Sequence, residues 1–523
     1  IRRPPRSTRK ESSAASDVYK RQDDISAGYQ RAKLSWYNID PLFYSNRRPS
    51  GISDNDLSTN AARRIFIEEI FPQRDIVQGQ SMVQYTFDLA YYPTERGPYN
   101  NAPSFGSNPE ENWAGITRAM STTDFAQSNV EYIEFWLLDT FSEQTSTTDD
   151  LGELVFHLGN ISEDILNDGR KLYENGLPAL GQNTATYNTS WGITPATQSL
   201  VYAFDADGQN RSLQDVGLDG LNDNEERIIY TNGPSDDPAG DNYSYFGQGS
   251  GSVLDRYKNY NGTQGNSPIE VTEQFRGSYT TPDAEDLNQD NTMNTIDRYY
   301  QYRIPIQKNM QVGSHPFLVD VRENDNIELP NGQVTSSRWL QFRVPVVAEY
   351  YEAPQKRNYF DAINGMSDLR SIRFMRMMLT GFSQPTVFRF GTLDVVRADW
   401  TRVPTPLNTK QIAYPNTQLE VSAVNVLENE TRTPIRYKLP PGIVRETLNS
   451  YNNLIRENEQ SLSLRVRDLA PEDGQGVYKH IDLDMRQYTR LRMFLHAESL
   501  PDENPLPGEG ANDDLDERIV AFI

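Results

Sequence analysis

The chain has no cysteine, only four histidines in 523 residues, and no apolar run near the roughly 20 residues that a membrane-spanning helix requires. Each absence excludes a class of mechanism. Without cysteine there are no disulfides, thiolate metal sites or cysteine nucleophiles. His157, His315, His480 and His496 lie far apart, with no HxxxH or HxH spacing to signal zinc. There is no GxSxG elbow and no P-loop, and the glycine-rich GQGSG (Gly247 to Gly251) lacks the strand and helix that would make it a phosphate cradle. The acidic pairs Glu163-Asp164 and Glu225-Glu226 are neighbours on turn text, not carboxylates facing each other across a glycosidic bond. The expectation is a protein that is not an enzyme.

Clustered positive charge is also missing once the first 22 residues are set aside. That stretch, IRRPPRSTRKESSAASDVYKRQ, has no apolar period and looks like a translated sequencing adapter, not native protein. It holds seven Lys or Arg against two Asp or Glu, so the remainder carries a net charge of −28 in place of −23. Such acidity repels phosphate backbones, and nucleic acid is excluded as an expected partner. An aromatic content of 11% nonetheless supplies enough large apolar surface for real cores.

What the chain does have is β text. NVEYIEFWLLDTF (Asn129 to Phe141) is apolar on both faces, and GELVFHLGNISEDIL (Gly152 to Leu166) alternates through Leu154, Phe156 and Leu158. Strands of this kind sit between two packed layers, as in a β-sandwich. VYKHIDLDMRQYTRLRMFLHAES (Val477 to Ser499) echoes the same order near the C-terminus. Further strand text runs over Arg298 to Ile306, Trp339 to Val347, Ile372 to Phe382 and Phe388 to Trp400. A short helix is expected from Ser162, ending at Asp168-Gly169. The fold class is mainly β: a jelly-roll-like β-sandwich with a long insertion, preceded by barrel-type strand segments and followed by the start of a second sandwich. The boundaries are 23–108 for the barrel-type segments, 109–404 for the sandwich with its insertion at 167–297, and 405–523 for a linker and the first half of a second sandwich. In isolation that half would leave an unpaired edge.

The barrel-type expectation rests on SMVQYTFDLAYYPTERGPYN (Ser81 to Asn100). Val83, Tyr85, Phe87, Leu89 and Tyr91 share one face, while Gln84, Thr86, Asp88 and Ala90 share the other. A tilted transmembrane strand of about 9 to 11 residues has this alternation, and so does an ordinary amphipathic strand at a domain edge. KLSWYNIDPLFY (Lys33 to Tyr44) is a weaker segment of the same kind.

The insertion is rich in Gly, Asn, Asp and Ser, and a structureless stretch of that length is improbable inside a compact domain. Two acidic clauses have the spacing of calcium loops. In DVGLDGLNDNEE, Asp215, Asp219, Asp223 and Glu226 fall at positions 1, 5, 9 and 12, with Gly220 at position 6 and no ligand at position 3, which is Gly217. In DLNQDNTMNTID, Asp286, Asn288, Asp290, Asn294 and Asp297 fall at positions 1, 3, 5, 9 and 12, with Met293 as an apolar anchor at position 8. Calcium takes six to eight hard oxygens, and this spacing wraps a loop around one ion. The alternative is a pair of Asx-rich turns, which form without metal because Asp and Asn bond their own backbone. A structural calcium is the expected cofactor.

A set of ordered clauses carries a family resemblance: KLSWYNIDPLFY, EIFPQRD, LAYYPTERGPYN, WAGITRAMSTTDF, EYIEFWLLDTF, GNISEDIL, ENGLP, DVGLDGLNDNEE, TPDAEDLNQDNT, FRFGTLDVVRADW and NEQSLSLRV. Together, from about residue 25 onward, they resemble the SprA/Sov family. These are cell-surface gliding-motility proteins of Bacteroidota that form the outer-membrane translocon of type IX secretion. The resemblance implies an internal fragment of a much longer protein, a giant outer-membrane β-barrel with soluble domains inserted between its strands. It favours Val83 to Tyr91 as barrel wall. It further implies secreted cargo proteins, a PorV-like outer-membrane shuttle barrel and a periplasmic plug protein as partners, and an outer-membrane or cell-surface location with the inserted domains exposed on one side. From a different class comes a cell-surface glycan-binding sandwich, attached to a hydrolase, with Trp113, Trp191, Trp339 and Tyr243 as sugar platforms or as ordinary core and turn aromatics.

Overall fold

The computed structural model describes most of residues 25–497; residues 1–24, 75–80, 172–184, 197–216, 265–284, 408–416 and 498–523, with shorter stretches between, lie outside the described residues. Two antiparallel sheets form its centre. The larger runs in the order β1 (Ala32–Tyr37), β2 (Phe87–Arg96), β13 (Thr386–Arg397), β4 (Val130–Leu138), β10 (Val334–Pro345) and β9 (Leu318–Glu328). The smaller runs β11 (Phe360–Ala362), β8 (Arg298–Gln307), β5 (Asp150–Asn160), β12 (Phe374–Thr380) and β3 (Trp113–Ala119). Their inner faces share one core. Phe135 of β4 lies 5.8 Å from Phe156 of the opposite sheet and stacks on Phe342 of its own at 5.1 Å. Leu89, Leu137 and Phe390 meet Leu154, Tyr302 and Leu379 in the same cluster. The sandwich expected from the sequence is present.

The alternation of β4 explains why its text is apolar throughout. Ile133, Phe135 and Leu137 point between the sheets, whereas Trp136 and Leu138 point away from the second sheet. That outer side is not wet. Ile65, Ile70 and Phe71 cover it, packing with Trp339 from the neighbouring strand. Gly391, beside them, has no side chain because a Cβ would lie 2.3 Å from Ile70 Cδ1 and 3.0 Å from the Trp339 ring. Two buried ion pairs fasten the 60–71 segment to the sheet. Arg63 grips Glu69 through two hydrogen bonds of 2.9 and 2.7 Å, and Ser337 on β10 donates to the same carboxylate. Arg389 on β13 pairs with Asp88 on β2 at 3.2 Å and donates to the carbonyls of Asn60 and Arg63.

The same geometry corrects the barrel-wall expectation for Val83 to Tyr91. The period of two is real, but β2 lies inside the sandwich sheet, hydrogen-bonded to β1 on one side and β13 on the other. Leu89 and Tyr91 face the intersheet core, and Phe87 packs against it. Ala90 faces a second cluster with Tyr37, Ile39, Phe43, Phe246, Val253 and Tyr257. Along β2 both sides therefore meet protein, and Phe87, Leu89 and Tyr91 on the face expected to meet lipid meet the other sheet, while Tyr85, ahead of the strand, is exposed. Residues 32–96 thus contribute two of the six strands of the larger sheet. No closed barrel occurs among the described residues.

The insertion leaves and rejoins the sandwich at one point, since Asn160 pairs directly with Arg298. The whole of 161–297 is an excursion from one antiparallel pair. Part of it returns across β1, the edge of the larger sheet. Tyr257, in the helix Val253–Tyr257, stacks on Tyr37 with ring centroids 4.2 Å apart, Trp36 N donates to Asn261 Oδ1, and Ser35 Oγ donates to the Lys258 carbonyl. An exposed edge strand invites pairing with another chain, and this one is covered. Residues 162–166 form no helix, and the rest of the helix expected there lies largely outside the described residues.

Beyond Arg397 the described strands form two-stranded ribbons only: β14 (Thr401–Arg402) with β19 (Val477–Tyr478), β15 (Gln418–Asn425) with β18 (Gln460–Arg467), and β16 (Thr447–Ser450) with β17 (Asn453–Arg456). The expected start of a second sandwich takes this form, with no second layered core among the described residues. Of the echo in Val477 to Ser499, Val477–Tyr478 form β19, while Met493, Phe494 and Leu495 are exposed and belong to no strand; much of the rest lies outside the described residues. Leu462, Leu464 and Val466 are likewise exposed along one face of β18.

Phe135→Ala should cost about 3–5 kcal/mol of unfolding free energy, the range for removing a fully buried aromatic side chain. Urea denaturation followed by tryptophan fluorescence measures it. A loss below about 1 kcal/mol would mean that the two sheets are not packed through this ring.

Candidate metal centre

The described part of the first acidic loop turns at Gly220 and brings two of its four expected ligands, Asp219 and Glu226, together. Gly220 adopts a left-handed φ of 71°, and a Cβ there would lie 2.5 Å from the Ile193 carbonyl oxygen. The chain then enters the helix Asp223–Ile229, where the Asn222 side chain caps the backbone N–H groups of Asn224 and Glu225. Glu226, on the first turn of that helix, is driven inward to complete burial. The backbone of Asp219 is held from outside the loop, its carbonyl accepting from Ile193 N at 2.7 Å in β7 (Ile193–Pro195), the partner of β6 (Thr186–Asn188). Its carboxylate accepts from Leu221 N at 3.0 Å.

Asp219 and Glu226 converge with a third carboxylate, Asp241, which no loop spacing identifies. One oxygen or more of each lies within 4.8 Å of the others, and the three residues are 2%, 0% and 3% exposed. The position of Asp241 answers the gap at position 3 of the loop. Its Oδ2 sits 2.0 Å from the point that a Gly217 Cβ would take, so the remote aspartate fills the space that a ligand at that position would otherwise use. Main-chain hydrogen bonds hold Asp241 there, its carbonyl accepting from Thr263 N at 2.6 Å and Gln264 N at 2.9 Å. Glu226 accepts from Ala239 N at 3.1 Å through Oε2. Glu226 Oε1 and Asp241 Oδ1 are buried with no hydrogen-bond partner among the described residues, and so is the amide oxygen of Gln264.

Like charges packed this closely out of water cannot all ionise cheaply. Burial pushes the Asp219 carboxyl up to about 7. Burial and then the Asp219 charge push Glu226 up to about 8. Asp241 rises well above the usual carboxylate range, through burial and then through Glu226 and Asp219. The Tyr230 hydroxyl hydrogen-bonds Asp219, and its own ionisation is pushed up by burial and by that carboxylate. The nearby cation Lys33 is turned elsewhere, 3.8 Å from Asp237 and 3.4 Å from the Gly240 carbonyl. Chemically the cluster offers hard, anionic, inward-pointing oxygen, suited to a proton or to a hard cation and to no thiophilic metal.

The other expected ligands fare differently. Asp223 is not in the cluster: its Oδ1 accepts from Asn242 Nδ2 at 3.0 Å. Asp215 lies outside the described residues. Among the described residues, the acidic side chains of the second loop do not form a group of three with ligand atoms within 4.8 Å of one another. Asp286 accepts from the backbone N–H groups of Asp290 and Asn291, Asn288 Oδ1 from Asp290 N, and Asp290 from Thr292 N and Oγ1. Asn294 Nδ2 donates to the Ile161 carbonyl, and Asp297 accepts from Ser162 N. Those side chains make Asx-turn and strand-end hydrogen bonds, which the loop forms with or without an ion. Met293 is buried, as an apolar anchor should be. Asn291, where a glycine was missed, takes a φ of 60° itself. Among the described residues, Asp219, Glu226 and Asp241 are the one group of three His, Asp or Glu side chains with ligand atoms so close together.

Two of the expected sugar platforms are core residues, while Tyr243 is half-buried beside Tyr260. Trp339 is fully buried against Trp136, Trp113 is buried with Val155 and Met378, and Trp191 lies outside the described residues. Histidine is used for packing. His157 is enclosed, its Nδ1 accepting from Arg376 Nε at 2.9 Å, and His315 packs edge-on against Phe317 and Phe342.

The loop that builds this cluster is also where the chain meets a known family. A family model, SprA_N, described as motility related/secretion protein, matches residues 219–517, more than half of the chain, starting at Asp219. The chain belongs to this motility-related/secretion family. No curated protein matches it. Membership accords with the family resemblance of the ordered clauses, and makes this a motility- or secretion-related protein of the cell envelope or surface. Within the SprA_N match lie all three carboxylates and every strand from β8 to β19.

Two outcomes test these assignments. Asp290→Ala should lower the melting temperature by the same amount with calcium or with EGTA, since it removes turn hydrogen bonds and no metal ligand; a calcium-dependent difference would restore the second loop as a site. His315 is held at about 4 by burial, below its unfolded value of about 6.5. Its contribution is therefore complete above pH 6.5 and is lost as pH falls from there towards 4, by about 3 kcal/mol. Wild type should lose that much more stability than His315→Gln between pH 7 and pH 4 in urea titrations, and parallel losses would refute it.

Proposed function

We propose that this chain is part of an outer-membrane protein translocon of the type IX secretion and gliding-motility kind, through which folded cargo proteins cross the outer membrane. Membership in the motility-related/secretion family carries the proposal. The fold is compatible with it in a specific way. The described sandwich buries the faces of its strands against protein, which suits a domain inserted between barrel strands better than a stretch of barrel wall. Such a module acts by shape and contact, without bond-making chemistry. A PorV-like shuttle barrel and a periplasmic plug protein are the proposed partners at the membrane, alongside the secreted cargo, and the outer membrane is the proposed location.

The deletion that tests this follows the sheet. Because β1 and β2 belong to the larger sheet, a deletion starting at the expected boundary, residue 109, would strand two of its six members. Residues 26–403 should be replaced by a short Gly/Ser linker in the parent protein, with insertion of the remaining barrel verified by surface protease protection. Retention of type IX cargo in the periplasm, with loss of gliding, is the expected result. Undiminished export of cargo would overturn the role.

A further inference from the structure

We propose that Asp219, Glu226 and Asp241 together bind one hard divalent cation of the calcium class, which clamps the insertion to the edge of the sandwich. The spacing of the three oxygens fits a single ion. Ligands about 2.4 Å from a common calcium are at most about 4.8 Å apart, and each of these carboxylates has an oxygen within that distance of the other two. Two observations beyond their acidity point to an occupant. Glu226 Oε1 and Asp241 Oδ1 are fully buried, on residues at least nine-tenths inaccessible, and have no hydrogen-bond donor among the described residues. The amide oxygen of Gln264, likewise buried and without a partner, belongs to a residue whose Cβ is 3.6 Å from the place of a Gly217 Cβ, beside Asp241. Carboxylates taken from water are normally answered by a positive group or by hydrogen bonds. Among the described residues no salt bridge reaches any of the three.

The remaining coordination has local sources. Three carboxylates, each able to bind through one or two oxygens, supply three to six of the six to eight that calcium takes, and water or the Gln264 amide can supply others. The site joins pieces far apart in sequence: β7 through Ile193, the loop and helix at 219–226, Asp241, and the Thr263-Gln264 turn. That assembly abuts the sandwich edge. The Gly240 carbonyl accepts from Lys33 on β1, and a Cβ on Gly240 would lie 2.6 Å from the Arg96 carbonyl oxygen on β2. One ion would thus help to order an insertion whose described packing on the larger sheet is the small apolar cluster of Phe246, Val253 and Tyr257 against β1 and β2.

The test uses the full chain, stripped with EDTA and dialysed. Adding 1 mM calcium (~1 mM, well above the dissociation constant of a structural site) should raise the melting temperature by about 5 °C, with magnesium giving less. Terbium, a calcium substitute, should emit on tyrosine excitation, with Tyr230 beside Asp219 as the nearby donor, and be displaced by calcium. The double variant Glu226→Gln with Asp241→Asn should lose the calcium shift and the terbium signal. Its metal-free melting temperature should equal or exceed that of metal-free wild type, because the substitutions remove mutual repulsion. Asp290→Asn should keep the full response. A wild type that shows neither a calcium shift nor terbium emission overturns the proposal, and melting that then moves with pH alone identifies a proton-sharing acid cluster. A calcium shift that survives in the double variant overturns it as well.

Discussion

The structure depends on one constraint: the larger sheet is buried on both faces. One face packs against the smaller sheet, and the other needs a second layer that no sheet supplies. Irregular chain supplies it, residues 38–71 over β1, β2, β4 and β10, and the 246–261 part of the insertion over β1 and β2. Loops have weak cohesion of their own, so their fastening is electrostatic as well as apolar. Arg63 with Glu69 and Arg389 with Asp88 are charge pairs in a nearly dry environment, and removing one partner of such a pair is far more damaging than replacing both.

Polar and charged groups in this fold are largely used inward. Tyr132 donates its hydroxyl to the Val421 carbonyl, tying the C-terminal ribbon to β4, and Arg343 pairs with Glu134 on the same side. His157 and Arg376 lock β5 to β12 across the smaller sheet. An architecture that spends its functional groups on its own cohesion fits a part that positions other parts. The acidic cluster at Asp219, Glu226 and Asp241 stands apart from this economy, since its charges oppose one another and its free oxygens point into the protein.

Much of the β framework was legible in the sequence, because period-two alternation is local. The text of β4, β5, β8, β10, β12 and β13 identified each as a strand. β9 was missed: Asp320 and Arg322, buried together, and Glu323 and Asp325 beyond them interrupt its apolar positions. The error at β2 has a different cause. Alternation states that one face is apolar and says nothing about whether lipid or a second sheet covers it. The echo at Val477 to Ser499 falls largely outside the described residues, and its described part leaves Met493, Phe494 and Leu495 exposed. In the acidic loop, the positions of Asp219, Gly220 and Glu226 were readable from spacing alone. Asp241 was not, because it reaches the cluster through a turn whose path no loop motif encodes.

By itself the sequence determined which segments alternate, where charge is excluded, which family clauses are present and where an oxygen-rich turn begins, all properties of neighbours along the chain. Tertiary structure alone decided what each apolar face touches, that the tryptophans at 113 and 339 are core and not platforms, and that a carboxylate from outside the loop takes the space left by Gly217. The physical reason is that local propensity acts over a few residues, whereas burial, charge pairing and coordination depend on segments brought together from opposite ends of a long excursion between β5 and β8.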